Sequence, residues 1–166
     1  MSLLILNAGS SSLKFALYDR APAAKTDPIP LLAGQIDGLG SHPHLRVTDA
    51  QGIDRQDAPL HSQGAHAVRD AGDALEVLFA GLPEWRPGTV VSGIGHRVVH
   101  GGVEFAAPVL IDDAVLARLD ALSQLAPLHQ PFNLAGIRAA RRRFPGLPQV
   151  ACFDTAFHRG HAFVHD

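Results

Sequence analysis

The first nineteen residues constrain the fold more than any other stretch. They contain an apolar segment, a turn of small residues and a segment in which apolar and polar residues alternate, which is the pattern of a β-hairpin. Residues 2–6 are mostly apolar and predict a buried strand. Residues 8–12 are all small, which predicts a tight turn. Residues 13–19 then alternate, with Leu13, Phe15 and Leu17 on one side. The chain is therefore expected to begin with a hairpin whose tip is small and rich in hydroxyl groups.

The elements after the hairpin arrive in an order that limits the fold class. Residues 21–30 are rich in Pro and Ala and predict a loop. Two further strands are predicted at Leu31–Ile36 and Leu45–Thr48, so the chain opens with an antiparallel meander. Helical spacing of apolar residues predicts a helix over His66–Ala80, with Gly81 as its stop signal.

The second half of the chain mixes strands and helices. Thr89–Val99 predicts a strand, and Asp112–Gln124 predicts a helix capped by one of its first two residues, both Asp. A third helix is predicted from Pro131 to about Phe144, and Val150–Phe153 predicts a short buried strand. Strands first, then helix, strand, helices and strand, is the order of an α/β fold with a mixed sheet and flanking helices.

Composition excludes several classes of protein. Of the 166 residues, 46% are apolar and 18% charged, which excludes a disordered chain and predicts one domain, or one and a part. The formal net charge of −2 leaves no basic surplus for nucleic-acid phosphates, so no nucleic-acid partner is expected. Apolar runs of about five residues are far below the roughly 20 that span a membrane. The N-terminus lacks the basic start of a signal peptide, and the single Cys152 fits a reducing compartment, so we expect a cytoplasmic protein.

The hairpin tip could bind phosphate. Small residues between Asn7 and Lys14 let backbone N–H groups approach an anion, and the hydroxyls of Ser10, Ser11 and Ser12 add donors. Lys14 supplies positive charge. The segment is not a Walker A loop, since the spacing of that motif is absent. An ordinary polar turn remains the alternative interpretation.

A second candidate is the segment Gly95–Gly102, in which Arg97 lies between glycines near the end of a predicted strand. Its guanidinium can present a planar fork to a carboxylate or a phosphate. Val98 and Val99 could form the wall of an adjacent apolar pocket. The alternative is a surface arginine followed by a glycine turn.

Two shorter motifs complete the set of candidates. In Pro127–Pro131, His129 is held between two prolines that restrict the backbone, although an exposed His in a helix connector would look the same. In Phe153–His158, Asp154 follows a buried strand directly, where open α/β sheets place catalytic and metal-binding groups. A helix cap is the alternative role for Asp154.

Taken together, four segments resemble the acetate kinase family. They are Leu6–Phe15, Gly95–Gly102, Pro127–Pro131 and Phe153–His158, and they match its signatures in order over nearly the whole chain. The resemblance implies a ribonuclease-H-like domain of the actin, Hsp70 and sugar-kinase type. It also implies reversible transfer of the γ-phosphoryl group of ATP to acetate, with Mg²⁺, giving acetyl phosphate and ADP.

The resemblance assigns roles at the hairpin. Asn7 matches the position that is associated with Mg²⁺. Ser10, Ser12 and Lys14 match the hairpin that meets the nucleotide phosphates. These four residues therefore form the expected metal and ATP-binding part of the site.

The resemblance also assigns roles to the residues around the phosphoryl acceptor, acetate. Arg97 matches the substrate-binding arginine, while Val99 and Leu128 match the lining of a small pocket for the acetate methyl group. His129 matches a histidine near the transferring phosphoryl group, and Asp154 matches a residue described as the catalytic acid or base. Because acetate is already ionised at neutral pH, we expect the main role of Asp154 to be holding Mg²⁺.

The sequence departs from the family pattern in two ways. Gln130 replaces an Asn of the family motif, and the adenosine-binding motifs of a C-terminal nucleotide-binding domain are absent. Residues 1–166 are therefore expected to form the N-terminal domain, with the phosphate hairpin at 6–15. We expect negligible kinase activity from this chain alone and a homodimer at full length.

Other functions remain open from the sequence. The substrate could be propionate or butyrate instead of acetate, since only part of the pocket is represented. The chain could also be a non-catalytic phosphate-binding or nucleotide-binding module, or a structural remnant without a ligand.

Overall fold

The computed structural model describes residues 1–20, 28–124, 127 and 129–157, and within them the chain forms one mixed sheet with helices. The strands are β1 (Ser2–Ala8), β2 (Ser12–Asp19), β3 (Leu32–Asp37), β4 (His44–Asp49), β5 (Asp54–Pro59), β6 (Val91–Val98), β7 (Val109–Leu110) and β8 (Gln149–Phe153). The helices are α1 (Ala71–Trp85), α2 (Asp113–Ala121) with a 3₁₀ turn at Leu122–Gln124, α3 (Gln130–Arg143) and the short α4 (Asp154–Phe157). The expected fold class is confirmed.

The described strands are ordered β5-β4-β3-β2-β1-β6-β8-β7. β1 to β5 form an antiparallel meander, of which the sequence predicts the first four strands. β6 pairs in parallel with both β1 and β8. The carboxyl ends of these three strands consequently meet at one edge of the sheet, which is where open α/β sheets bind ligands.

The initial hairpin forms as predicted, although β1 continues to Ala8. Its alternation decides which side chains enter the core. Leu4 and Leu6 of β1, with Leu13 and Phe15 of β2, are buried in the same cluster as α1 residues. Leu3 and its neighbours at alternate positions point to the other face of the sheet, which is more exposed.

Helix α1 differs from the prediction at both ends. It begins at Ala71 and not at His66, because the side chain of Asp70 accepts hydrogen bonds from two backbone amides of the first turn. Gly81 is not a stop signal, and the helix continues to Trp85. A Cβ at Gly81 would collide with the indole ring of Trp85, so this glycine serves packing inside the helix.

Two strands were missed by the sequence prediction. β5 is mostly polar and shows no apolar alternation that would mark it as a strand. Its pairing with β4 is supported by the carboxylate of Asp57, which accepts hydrogen bonds from His44 and Arg46. β7 has only two residues and pairs with the edge of β8.

The predicted second and third helices and the last strand are confirmed with small shifts at their ends. The carboxylate of Asp112 caps α2 by accepting from the amide of Val115. Pro131 lies in the first turn of α3, as its fixed φ favours. Among the described helices, none has the length and apolarity that crossing a membrane requires.

The core lies between the sheet and its helices in two clusters. One joins the meander, α1 and the inner side of β1, with Leu75 and Leu78 fully buried. The other joins β6, β8, α2 and α3, with Leu134 and Ile137 fully buried. Since α3 contacts β1, β6 and α1, it links both clusters behind the carboxyl ends of the parallel strands.

Candidate functional site

Three predicted site residues meet at the carboxyl ends of the parallel strands. The Nε and Nη2 groups of Arg97 donate to Oδ1 and Oδ2 of Asp154 at 2.9 and 2.6 Å. The Nη1 group of Arg97 donates to Oδ1 of Asn7 at 3.3 Å. These residues come from β6, the end of β8 and β1, so the parallel pairing of the strands creates the cluster.

The cluster is open to water. The side chain of Arg97 is 50% exposed and that of Asp154 is 30% exposed. The hydrogen bonds that Arg97 donates to Asp154 raise the pKa of Arg97 above its already high value, so the guanidinium stays charged. A charged, exposed fork is suited to capture an anion from solution.

The carboxylate of Asp154 already occupies the side-on position of the fork. A substrate carboxylate that bound side-on would compete for the same planar pair of donors. Binding of such a substrate at these donors therefore requires Asp154 to move or to accept another cation in place of Arg97.

The hairpin tip lies beside this cluster. Asn7 and Lys14 are directly opposite each other in the β1–β2 register, so their side chains share a face of the sheet. The turn is closed by a hydrogen bond from the amide of Gly9 to the carbonyl of Ser12 at 2.8 Å. Ser10 and Lys14 are exposed, and Ser12 is partly buried. The predicted phosphate-binding groups are therefore available on the same face as Arg97.

Of the remaining predicted site residues, His129 and Val99 lie around the start of α3. His129 is the residue before this helix, is exposed, and makes no side-chain hydrogen bond as a cap. Val99 is partly buried and follows β6. Leu128 and His158 lie outside the described residues.

The turn after β6 explains the last two glycines of the second motif. A Cβ at Gly101 would approach the ring of Phe153 to 2.8 Å, and Gly102 has a φ of 61°. The amide of Gly101 donates to Oγ1 of Thr155 at 3.1 Å. This bond ties the turn that follows Arg97 to the segment that begins with Asp154.

The sequence reasoning missed Asn133, which is 5% exposed. Its Nδ2 donates to the carbonyl of Ala8 at 2.6 Å, and its Oδ1 accepts from the amide of Val99 at 3.1 Å. The available signal was two polar residues placed three apart, Gln130 just before the predicted helix and Asn133 within it. Where such polar residues are buried, they are expected to be hydrogen-bonded.

An apolar cavity does lie beside Arg97, but Val98 and Val99, which the sequence suggested as its wall, are not among its lining residues, and Val98 is fully buried in the core. The cavity has a volume of about 450 Å³ and lies beside Arg97 and Asp154. Its other lining residues are Ala106, Ala107, Pro108, Cys152 and Phe153, which make it mainly apolar. An apolar space next to a cationic fork could hold the hydrocarbon part of a small organic acid.

His96 belongs to the core and not to this cluster. It is 4% exposed, and its Nε2–H donates to Oε1 of Gln149 at 2.8 Å. Burial lowers the pKa of His96 to about 4, so the imidazole is neutral at physiological pH. Arg97, the next residue along β6, points to the opposite face of the sheet.

The model of the acetokinase family matches residues 2–163. The chain belongs to the acetokinase family. It is 45% identical to acetate kinase from Rhodopseudomonas palustris over 156 residues, which are 94% of this chain and 38% of that protein. It is 47% identical to acetate kinase from Rhizobium meliloti, covering 97% of this chain and 39% of that protein.

Solved structures of the same family share the fold. Porphyromonas gingivalis acetate kinase matches with a TM-score of 0.79 and 32% identity, covering 97% of this chain and 39% of that one. A propionate kinase from Francisella tularensis matches with a TM-score of 0.77 and 34% identity, covering 97% of this chain and 38% of that one. The chain thus spans about two fifths of the length of these relatives.

The donor set of the acetokinase site suits a hard cation such as Mg²⁺. Mg²⁺ takes oxygen ligands and is commonly held by one or two carboxylates together with substrate phosphates. Asn7 and Asp154 offer an amide oxygen and a carboxylate on either side of the same guanidinium. Within the described ranges, no three or more His, Cys, Asp or Glu residues gather into a metal cluster. Asn7 and Asp154 supply two oxygen-bearing groups, so a cation held by them would need further oxygen ligands.

Proposed function

We propose that this chain is the N-terminal part of an acetate kinase, which transfers the γ-phosphoryl group of ATP reversibly to acetate and yields acetyl phosphate and ADP. The observation that carries the proposal is the position of Arg97. Its fork lies at the carboxyl edge of the parallel strands, between Asn7 and Asp154. The cationic fork, the metal-ligand oxygens and the phosphate hairpin are then adjacent, as transfer between two anions requires.

The chemical problem is charge repulsion and not activation of the nucleophile. Acetate is ionised at neutral pH, so no base has to create it. Phosphoryl transfer depends on positioning and on neutralising the negative charge of both reactants. Arg97 would hold the acetate carboxylate through two parallel hydrogen bonds.

The other residues take complementary roles. Mg²⁺, when bound, would neutralise phosphate charge, and Asn7 and Asp154 would hold it. Ser10, Ser12 and Lys14 would contact the phosphates of ATP. His129, which is exposed before α3, would donate a hydrogen bond to the transferring phosphoryl group.

Asp154 has a second role in this proposal. If Asp154 held the cation, its carboxylate would no longer be paired with Arg97, and the fork would be free for acetate. Binding of the cation would then favour binding of acetate. Val99 and Leu128 would line the methyl pocket, as the family pattern implies.

The chain alone would not complete the reaction. It spans about two fifths of its relatives, so the rest of a complete site would come from residues that this chain does not include. We infer negligible kinase activity for residues 1–166 alone. For the complete enzyme we infer a cytoplasmic homodimer, on the pattern of the family.

Propionate kinase is a second candidate. The cavity beside Arg97 exceeds what one methyl group fills, and its walls at Ala106, Ala107 and Pro108 are apolar. The Francisella tularensis relative is itself a propionate kinase. A longer acid would extend its chain towards this cavity.

The test uses a complete kinase in which this chain replaces the matching part of the Rhodopseudomonas palustris relative. Acyl phosphate formation from ATP is measured with acetate, propionate and butyrate. We expect activity with acetate, and a higher kcat/KM for propionate would favour the second candidate. An inactive hybrid that is folded and binds ATP would contradict the proposed function. Robust activity of residues 1–166 alone would contradict the inferred need for the missing part.

A further inference from the structure

Helix α3 approaches the site through one buried amide side chain. Asn133 donates to the carbonyl of Ala8 at 2.6 Å and accepts from the amide of Val99 at 3.1 Å. Ala8 is the neighbour of Asn7, and Val99 lies two residues after Arg97. A single carboxamide therefore joins the two strand ends that carry the metal-side and substrate-side groups.

The backbone of the two strands does not make this connection itself. The parallel register between β1 and β6 ends at the pair Leu6 and His96. Beyond that pair, the carbonyl of Ala8 and the amide of Val99 each hydrogen-bond to the side chain of Asn133 and not to each other. The side chain of Asn133 thus hydrogen-bonds to both strands beyond the end of their pairing, as a peptide group of a third strand would.

Close packing of α3 keeps this carboxamide in place. A Cβ on Gly136, one turn further along the helix, would approach the Cβ of Ala8 to 2.8 Å. One turn earlier, Nε2 of the fully buried Gln130 donates to the carbonyls of His100 and Leu119. The first turns of α3 are consequently fastened to β1 and to the turn after β6, and the Asn133 side chain has little room to rotate.

We propose that Asn133 is a positioning residue, whose two hydrogen bonds set the spacing between Asn7 and Arg97. The inference rests on the proposed phosphoryl transfer, in which these residues face different reactants. If the two strand ends separate, each reactant still finds its own binding groups. Only the distance between the reactants changes, and transfer rates are steeply sensitive to that distance.

The test compares Asn133→Leu with a matched control in the same complete kinase. Leucine has a similar size and removes both hydrogen bonds. Ile137→Val and Ile137→Ala shorten a fully buried side chain of the same helix without touching either bond. The control whose melting temperature matches that of Asn133→Leu is used, and all assays run well below both transitions.

We expect Asn133→Leu to lower kcat about tenfold or more, with the KM for acetate and for ATP changed less than threefold. The stability-matched control should keep kcat within about twofold. Hydrogen exchange of the Val99 amide should quicken in Asn133→Leu and not in the control.

Two outcomes would overturn the inference while leaving the proposed function intact. The first is an Asn133→Leu kinase that keeps the kcat of its matched control. The second is a loss confined to KM, which would assign Asn133 to the binding of one reactant. If the unsubstituted kinase is folded but forms no acyl phosphate, the proposed function fails, and the inference fails with it.

Discussion

Arg97 and Asp154 face each other side-on at the carboxyl ends of adjacent parallel strands, with both oxygens of the carboxylate bonded to the guanidinium. This bidentate contact has the geometry that any carboxylate bound side-on to a guanidinium would adopt. Both side chains are substantially exposed, so the ion pair itself adds little to stability. In this structure Asp154 occupies the Nε and Nη2 donors of Arg97, so another carboxylate could bind this pair side-on only after Asp154 had moved.

Arg97→Lys should impair use of acetate far more than binding of ATP. Lysine keeps the charge but cannot reproduce the planar fork. We expect kcat/KM for acetate to fall roughly 100-fold, with the KM for ATP nearly unchanged. Steady-state kinetics of the complete kinase would measure both values.

The control for this substitution is Arg46→Lys. Arg46 also donates through Nε and Nη2 to one carboxylate, that of Asp57, but on the outer strands of the sheet. It should leave both kinetic constants within twofold. If Arg97→Lys lowered kcat/KM for acetate and for ATP equally, this would count against Arg97 as the acetate ligand.

Asp154→Asn should raise the Mg²⁺ requirement. The amide keeps the shape of the side chain but removes the negative charge that attracts a divalent cation. We expect the Mg²⁺ concentration for half-maximal activity to rise about tenfold or more. A titration of activity with Mg²⁺ at saturating ATP and acetate would show the shift.

Asp120→Asn provides the matched control, since Asp120 pairs with Arg138 on the surface of α2 and α3. Its Mg²⁺ dependence should equal that of the unsubstituted enzyme. If Asp154→Asn moves only the pH profile and leaves the Mg²⁺ titration unchanged, the metal-holding role is wrong and an acid–base role is favoured.

Acid should destabilise the fold through His96. Burial lowers the pKa of His96 to about 4, against about 6.5 in an unfolded chain. Above pH 6.5 neither state binds the proton, so the full stability is present. Between about 6.5 and 4 only the unfolded state binds it, and the free energy of unfolding should fall by up to about 3 kcal/mol. Below about pH 4 this contribution stays constant.

Urea unfolding of the chain at a series of pH values would measure this loss. In His96→Gln the same stretch of pH should show a decrease that is smaller by about 3 kcal/mol, whatever its stability at neutral pH. His42→Gln, at an exposed histidine, serves as the control and should follow the unsubstituted chain. If the free energy of unfolding fell equally with pH in His96→Gln and in the unsubstituted chain, His96 would not be the cause of the loss of stability in acid.

Gly81→Ala should destabilise the protein, although alanine is the better helix former by about 1 kcal/mol. The added methyl group would overlap the indole of Trp85, which is stacked on Phe15 at 6.0 Å between ring centroids. We expect a net loss of about 2 kcal/mol in the free energy of unfolding.

A double-mutant cycle isolates the cause. In a Trp85→Leu background the collision is removed, so Gly81→Ala should become neutral or stabilising. The same destabilisation in both backgrounds would mean that the indole is not what requires glycine at position 81.

The sequence was a reliable guide wherever a local pattern carried the information. Alternation predicted the β1–β2 hairpin, and Pro131 marked the start of α3. Asp154 was correctly placed at the end of a buried strand. Local pattern failed at β5, whose polar residues are ordered by pairing with β4, and at Gly81, where contact with the Trp85 ring overrides the usual helix-ending signal.

The residue types of the site and the hydrophobic pattern that forms its strands can be read directly from the chain. The contact between the site residues cannot be read from the chain. Asn7, Arg97 and Asp154 are separated by 90 and 57 positions and come together only because their strands pair in parallel. The contact between Arg97 and Asp154, the apolar cavity beside them and the bridge made by Asn133 are likewise tertiary. Local sequence specifies which face of a strand or helix a side chain occupies, whereas the partner on that face is decided by how distant elements pack.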